Sequence, residues 1–534
     1  MIDKLSTQAR LFIAIVLSMV FFVAYDYYFL PKKQLDQNST SIEQNAQNTQ
    51  NAPAIKQNAP AIKQNAPDTQ NAQNAPAQKQ GKILVKISAP DFNASIDEFG
   101  RISNFILSND KFKNEEGEQT TLIAPGHEPL PLEVRFANTE LNNLAFKNTY
   151  SASSNELDLN TGAKSVILTQ NLGDKTLIKE ILFYPNGSYD LKVSVDADYF
   201  ITAGHRPSAQ VDGYTVHGTM LRTSSDSLEI IEDGDAKGDE VFRGIDLVAS
   251  SDRYYTTLFY DENKNLEVYI QNAKDESTLA FIRASGALML KGFIGPKNNE
   301  LLKSINPRLS DVVEYGWFTF ISKPMFAFLN WLYGYLGNWG WAIVVLTLII
   351  RVILFPLTYK GMVSMNKLKD IAPKMRELQA KYKGDPAKLN AHMMELYKKH
   401  GANPMGGCLP ILLQIPVFFA IYRVLLNAIE LKGAEWILWV NDLAIKDPYF
   451  VLPILMGASM YLQQRITPTT FSDPMQEKLM RWLPVIFTFF FLMFPAGLTL
   501  YWFINNLCSL LQQYLVNKMF AKHKAEEIAA HKQA

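Results

Sequence analysis

Arg351 is an ionised side chain in apolar company. It interrupts a hydrophobic run that occupies 342–350 and resumes at Val352-Ile353-Leu354-Phe355. A guanidinium at bilayer depth costs at least roughly 2.5–3.5 kcal/mol, so such residues usually face a protein interior or a wet cavity. Lys360 follows about 13 Å further along a helix rising 1.5 Å per residue, which puts Arg351 in the inner half of a bilayer. Two readings are open: a hydrated cavity, or snorkelling of the side chain to headgroup phosphates. The other apolar runs offer no acidic residue to neutralise the charge, only polar groups in Thr347, Gln414, Gln463, Gln464, Asn505 and Asn506. In a cavity the positive charge attracts acidic or polar groups of an entering segment, because Coulomb energy grows as the dielectric falls.

A second group of residues suits apolar recognition. Phe418, Phe419, Met456, Phe489, Phe490, Phe491 and Met493 would present an adaptable oily surface, since methionine and aromatic side chains repack around many shapes. The plainer alternative is that they are core or lipid-facing residues. Signatures of enzymatic chemistry are missing: there is no Walker loop, dinucleotide glycine turn, HExxH or Gly-x-Ser-x-Gly. His127, His205 and His217 are scattered and read as structural. Cys408 and Cys508 both fall in apolar runs, which excludes a disulfide scaffold and zinc-like spacing. No cofactor, metal, catalytic residue or specific nucleic-acid partner is expected.

The elements that must position these groups follow from length and pattern. At 534 residues the chain needs more than one domain, and its 52 basic and 52 acidic residues cancel while being unevenly distributed. Residues 1–10 form a short N-terminus, and 11–30 an apolar run long enough to be a retained signal anchor. The Gln/Asn/Pro-rich stretch 31–81 repeats QNAPAIK and reads as a disordered tether. Residues 82–310 read as a β-sandwich, with alternation at Ile83, Val85 and Ile87 and at Leu266, Val268 and Ile270. Within it, Pro185-Asn186-Gly187 marks a hairpin between two strands of 176–195.

The segment 311–337 carries a dense aromatic belt and is expected to hold an interfacial amphipathic helix from Pro324, at its first helical position, to Leu336; the plainer alternative is a long transmembrane lead-in. Further spans are expected at 339–358, 408–428, 449–464, 482–495 and 497–517, making six in all. The run 449–464 covers only about 24 Å, so the bilayer thins there or protein shields the ends. The linking segments are 359–407, 429–448 and 465–481, followed by a basic tail at 518–534. Lysine and arginine crowd 359–407 and the tail, so both are cytoplasmic, the N-terminus is cytoplasmic, and the β domain lies outside. Asp385-Pro386 should start the second arm of a helical hairpin in 359–407, with Met375, Leu378, Met393 and Leu396 as its seam. That hairpin is either a basic, partner-facing paddle or a solvated connector.

Several motifs resemble those of the YidC/Oxa/Alb insertase family of Gram-negative type. They include Gly337-Asn338-Trp339-Gly340, Arg351 with Phe355-Pro356-Leu357-Thr358, and Asn403-Pro404-Met405-Gly406-Gly407-Cys408. Asp447-Pro448-Tyr449, Leu452-Pro453-Ile454-Leu455-Met456-Gly457, Ser472-Asp473-Pro474-Met475-Gln476, Pro484-Val485-Ile486-Phe487-Thr488 and Phe494-Pro495-Ala496-Gly497-Leu498 continue the likeness. The resemblance implies a polytopic α-helical membrane protein whose five-helix core encloses a hydrophilic groove open to cytosol and lipid, joined to a periplasmic all-β supersandwich. Its groove would hold Arg351, Thr347, Gln414, Gln463, Asn505 and Trp502, with Phe418, Met456 and Phe490 as the apolar substrate surface. It implies insertion, folding and assembly of inner-membrane proteins. The implied partners are nascent membrane proteins, the Sec translocon, the ribosome and membrane lipids. Arg423 departs from the family's aromatic residue; it either snorkels outward or pairs with Glu430. Two other functions compete with insertion: secondary transport, which wants paired ionisable residues or an internal repeat, and glycan binding, which wants a histidine or carboxylate constellation.

Overall fold

The alternating strands between 83 and 296 pair into two sheets, and the apolar runs beyond 318 become helices. The computed structural model describes residues 81–534 except 115, 208, 210–214, 224, 239, 264, 383, 403–408, 468–473 and 534. The expected anchor at 11–30, the tether up to residue 80, and Cys408 lie outside the described residues. The chain divides into a unit ending at Val312 and a helical unit from Val313 onward.

In the first unit a five-stranded sheet runs in the order Thr121–Ile123, Ile102–Leu107, Phe92–Asp97, Ile83–Ser88, Glu156–Asp158, its last pair parallel. The larger sheet has eleven strands and is built around the long antiparallel pair Ser188–Thr202 and Thr278–Pro296. The hairpin expected at Pro185-Asn186-Gly187 joins Thr176–Phe183 to Ser188–Thr202, and Gly187 takes the positive φ of 85° that this turn requires. Strand alternation buries Val85 and Ile87, and Leu266, Val268 and Ile270, although Ile83 at the strand start faces outward. Tyr189 sits over Gly292, its register partner across the large sheet. A Cβ there would lie 2.2 Å from the ring, so only glycine accommodates it. Two short helices, α1 (Thr139–Lys147) and α2 (Asn299–Ile305), each begin with an asparagine cap.

One buried cluster in this unit pairs its arginines with carboxylates. Arg101 is buried and contacts Asp97 at 2.7 Å and Glu133 at 3.1 Å, and Glu133 also takes Arg135 at 2.8 Å. Beside them Lys179, on a strand of the larger sheet, donates to the carbonyls of Gly100 (2.9 Å) and Leu132 (2.8 Å), with its ammonium 4.7 Å from the Tyr150 ring centre. Burial, reinforced by the Arg101 charge, brings this amine down to about 7.

The helical unit begins with α3 (Thr319–Leu336), which starts earlier than the Pro324 reading and carries that proline inside the helix. It ends at Gly337 in the left-handed conformation. Helix α4 (Trp339–Lys381) is continuous for 43 residues, so the expected span 339–358 and the first arm of the hairpin are one element. Nothing after Thr358 stops it before Gly384-Asp385-Pro386; Pro356 and Pro373 are carried inside it. Asp385 caps α5 (Pro386–Lys399) by accepting from Lys388 N at 3.1 Å. The hairpin seam uses Met375, Met393 and Leu396 around Leu368 and Ile371, while Leu378 lies outside that cluster.

Helices α6 (Leu409–Asn427), α7 (Val451–Ile466), α8 (Pro474–Phe491) and α9 (Ala496–Gln533) follow. Helix α9 continues straight through the expected tail. Among the described residues only α4 is long and apolar enough to pass a length-and-composition test for crossing a membrane. Gln414–Asn427 and Arg481–Phe491 are shorter apolar stretches. Helices α7 and α8 cross at Gly457, where a Cβ would meet Thr488 Oγ1 at 1.8 Å.

Candidate functional site

Helix α9 reverses the polarity of a water-soluble helix. Asn505, Ser509, Gln513 and Asn517 recur every fourth residue, which puts them on one face, and the first three are buried. Leu507, Leu511, Tyr514, Leu515 and Met519 occupy the outward face. Helix α4 does the same: Thr347, Arg351, Thr358 and Asn366 are buried, whereas Leu348, Val352, Ile353 and Leu357 are exposed. Apolar outside and polar inside is what a lipid-facing bundle with a polar interior requires.

Arg351 is turned into that interior, with only 7% of its surface exposed. Its Nε donates to Asn505 Oδ1 at 2.7 Å and one terminal nitrogen donates to the Asn505 carbonyl at 3.1 Å. The guanidinium thus points toward α9 and not along the exposed face of α4. Gln414 Nε2 donates to the same Asn505 Oδ1 at 2.8 Å, and Gln512 Nε2 donates to the Arg351 carbonyl at 3.3 Å. No carboxylate among the described residues pairs with the guanidinium; its partners are amides. Amide contacts continue along the same helices, with Asn366 and Gln513 both donating to Asn517 Oδ1 (2.9 and 2.8 Å) and Asn517 reaching the Ile466 carbonyl at 3.3 Å. Asn506 donates to Ser459 Oγ at 3.4 Å.

The other expected groove residues divide. Gln414 and Asn505 join Arg351, but Gln463 stays out of that network, and Thr347 donates its hydroxyl to Ile343 O of its own helix at 2.7 Å. Trp502 instead centres an aromatic cluster, with Phe418 edge-on at 4.7 Å, Phe491 at 5.4 Å and Phe487 at 6.1 Å. Its indole N–H is buried and finds no acceptor among the described residues. Of the apolar set, Phe418 and Phe490 are half-buried and Phe489 faces outward, but Met456 is closed off completely at 0% exposure. The expectation that Met456 and Thr347 lie on an accessible surface does not hold in this conformation, because neighbouring helices pack directly over them.

At the end of the bundle where α6 leads into the 429–448 loop, that loop is tied to the helices. Asp447 is buried, accepting from Leu452 N (2.7 Å), Tyr449 N (3.0 Å) and Trp439 Nε1 (3.0 Å). Ala496 and Gly497 donate to Ile445 O (2.7 Å) and Leu443 O (2.9 Å), stitching the loop to the α8–α9 turn. Arg423 faces Glu314 at 3.6 Å, a partner that neither expectation for it named.

The histidines of the β unit are less dispersed than their spacing suggests. The His127 and His205 rings lie 5.8 Å apart, His205 meets Asp275 at 3.3 Å, and His217 meets Asp233 at 3.3 Å. The cavity beside His127 and His205 is about 30 Å³, room for about a single water and not for a sugar. Among the described residues no group of three His, Cys, Asp or Glu could hold a metal.

Taken together, a polar-cored helical bundle and a two-sheet β unit define a membrane protein with a large β domain. Comparison with known proteins makes the class specific. Residues 331–524 match the family model described as 60Kd inner membrane protein, and residues 246–328 match the YidC periplasmic domain. The membrane protein insertase YidC of Campylobacter jejuni is 54% identical over 97% of this chain and 98% of its own. That of Wolinella succinogenes is 51% identical over 98% and 97%. A crystal structure of an active YidC insertase with its first transmembrane domain resolved is similar at 20% identity, covering 80% of this chain and 91% of its own with a TM-score of 0.37. The chain belongs to the YidC family of membrane protein insertases.

Several polar residues of the bundle were missed in reading the sequence. Ser509, Gln513 and Asn517 were legible, with Asn505, as a four-residue repeat on the last apolar run, and that repeat was the available signal; Gln512 falls outside it. Ser459, Thr358 and Asn366 carry no comparable pattern.

Proposed function

We propose that this chain inserts integral proteins into a bacterial inner membrane and assists their folding and assembly. The observation that carries this reading is Arg351: a guanidinium that pairs with no carboxylate among the described residues and is held by amides in the polar interior of the bundle. A charge kept in low dielectric without an internal counter-ion attracts the polar or acidic part of an entering segment, and water need not be fully stripped from that part in bulk lipid. The apolar part then partitions past Phe418 and Phe490, with Trp502 offering an unclaimed indole donor. Thr347, Gln414, Gln463 and Asn505 line the polar path. Buried Met456 and Thr347 meet the substrate only when their helices part.

In this reading the chain crosses the membrane six times, first with the apolar run 11–30, which lies outside the described residues, and then within α4, α6, α7, α8 and α9. The lysine-rich hairpin and the C-terminal end of α9 support a cytoplasmic placement of both, with the β unit in the periplasm. The energy comes from partitioning of the substrate into lipid and not from a catalytic site. The ribosome and the Sec translocon are the partners that deliver substrate. A photo-crosslinking residue at Phe418, Phe490 or Met456 should capture nascent membrane proteins during translation. Absence of capture from all three positions would overturn the reading.

A further inference from the structure

We propose that Asn505 is a neutral stand-in for the acidic group of the substrate, holding Arg351 ready and yielding its place when a carboxylate arrives. This rests on the reading of Arg351 as the electrostatic receiver. The geometry singles out one atom, Asn505 Oδ1, which accepts from Arg351 Nε at 2.7 Å and from Gln414 Nε2 at 2.8 Å. Two donors from different helices converge on one acceptor, and an incoming carboxylate oxygen satisfies both in the same position. The replacement is favourable because a carboxylate makes a charge-assisted bond to the guanidinium, roughly twice as strong as the bond an amide oxygen makes.

The residue type matters. An aspartate at 505 would neutralise Arg351 permanently, and the receiver would already be occupied. An aliphatic residue would leave Nε without its acceptor. An amide satisfies the donor and leaves the charge uncancelled. The exchange does not release the arginine, since the Asn505 carbonyl still holds a terminal nitrogen at 3.1 Å and Gln512 fastens the Arg351 carbonyl at 3.3 Å. Arg351 therefore sets which charge the groove favours, and Asn505, being neutral, holds the donor without cancelling that preference.

The test uses the full chain in proteoliposomes and two single-span substrates that differ only by Asp or Asn in the translocated segment, with insertion read by protease protection. The wild type should insert the Asp form better than the Asn form. A wild type indifferent to that difference would sink the electrostatic reading of Arg351 itself. In Asn505→Asp the Asp-to-Asn insertion ratio should fall about tenfold, the loss of one hydrogen bond to a charged group. A wild-type ratio in that variant would overturn the stand-in role while leaving the Arg351 reading intact. Asn505→Ala keeps the site neutral, so its ratio should stay at or above the wild-type value; a fall to the Asn505→Asp value would make Asn505 merely structural and overturn the proposal. If Asn505→Asp does not accumulate, Gln414→Glu brings a carboxylate to the same point and should lower the ratio likewise, and its failure to do so counts against the proposal.

Discussion

Two buried arginines of this protein are held in opposite ways. Arg101, in the β unit, is clamped by Asp97 and Glu133, so its charge is cancelled within about 3 Å and serves packing. Arg351, in the helical unit, is comparably buried, but among the described residues its guanidinium bonds to Asn505 and to no carboxylate, so the charge is left uncancelled. A fold that needs only stability has no reason to keep an unpaired guanidinium in low dielectric, because its desolvation is not repaid. The difference teaches that burial does not identify a functional charge. The chemistry of its partners does.

Predictions that bear on this contrast run from large to small. Arg101→Ala strands the buried Asp97 carboxylate and takes from Glu133 one of its two arginines, so it should destabilise the β unit by about 3–5 kcal/mol, measured by urea unfolding of the full chain in detergent. A loss below ~1 kcal/mol would show that the clamp is not what cancels the charge.

Lys179 tests the same region by pH. Its amine titrates near 7 when folded and near the ordinary lysine value when unfolded. Between those values the unfolded chain binds more protons, so stability rises with pH. From pH 7 to 9 the gain should be about 2 kcal/mol, and Lys179→Met should flatten it. The same slope in both proteins would assign the effect to other groups.

Arg351→Ala should behave unlike Arg101→Ala. It leaves no orphaned carboxylate, so the loss of hydrogen bonds is offset by relief of desolvation and stability should change by less than ~1 kcal/mol. A loss as large as that of Arg101→Ala would erase the distinction between the two sites. The smallest effect is expected at Arg423 and Glu314, a partly exposed pair at 3.6 Å. Arg423→Glu should cost about 0.5 kcal/mol, recovered when Glu314→Arg is added; no recovery would mean that the two do not couple.

Periodicity and turn chemistry made much of the architecture legible from residues alone. The hairpin at Asn186-Gly187, the alternation at Leu266, Val268 and Ile270, the Asp385-Pro386 helix start and the apolar runs of the helical unit are local signals, and local sterics and burial decide them. Helix ends were less legible. The expected span ended at 358, yet α4 carries Pro356 and Pro373 inside it and runs on to Lys381, because the residues that follow favour helix and no stop signal intervenes before Gly384-Asp385-Pro386.

What only the tertiary structure decided is which residues meet. Arg351 and Asn505 are 154 positions apart, and their pairing turns the arginine toward α9. The burial of Met456, the pairing of Arg423 with Glu314 and the approach of His127 to His205 belong to the same category. A sequence pattern states which face of an element is apolar or polar, because that depends on the element's own repeat. It does not state which neighbour will cover that face, because that depends on how separate elements pack.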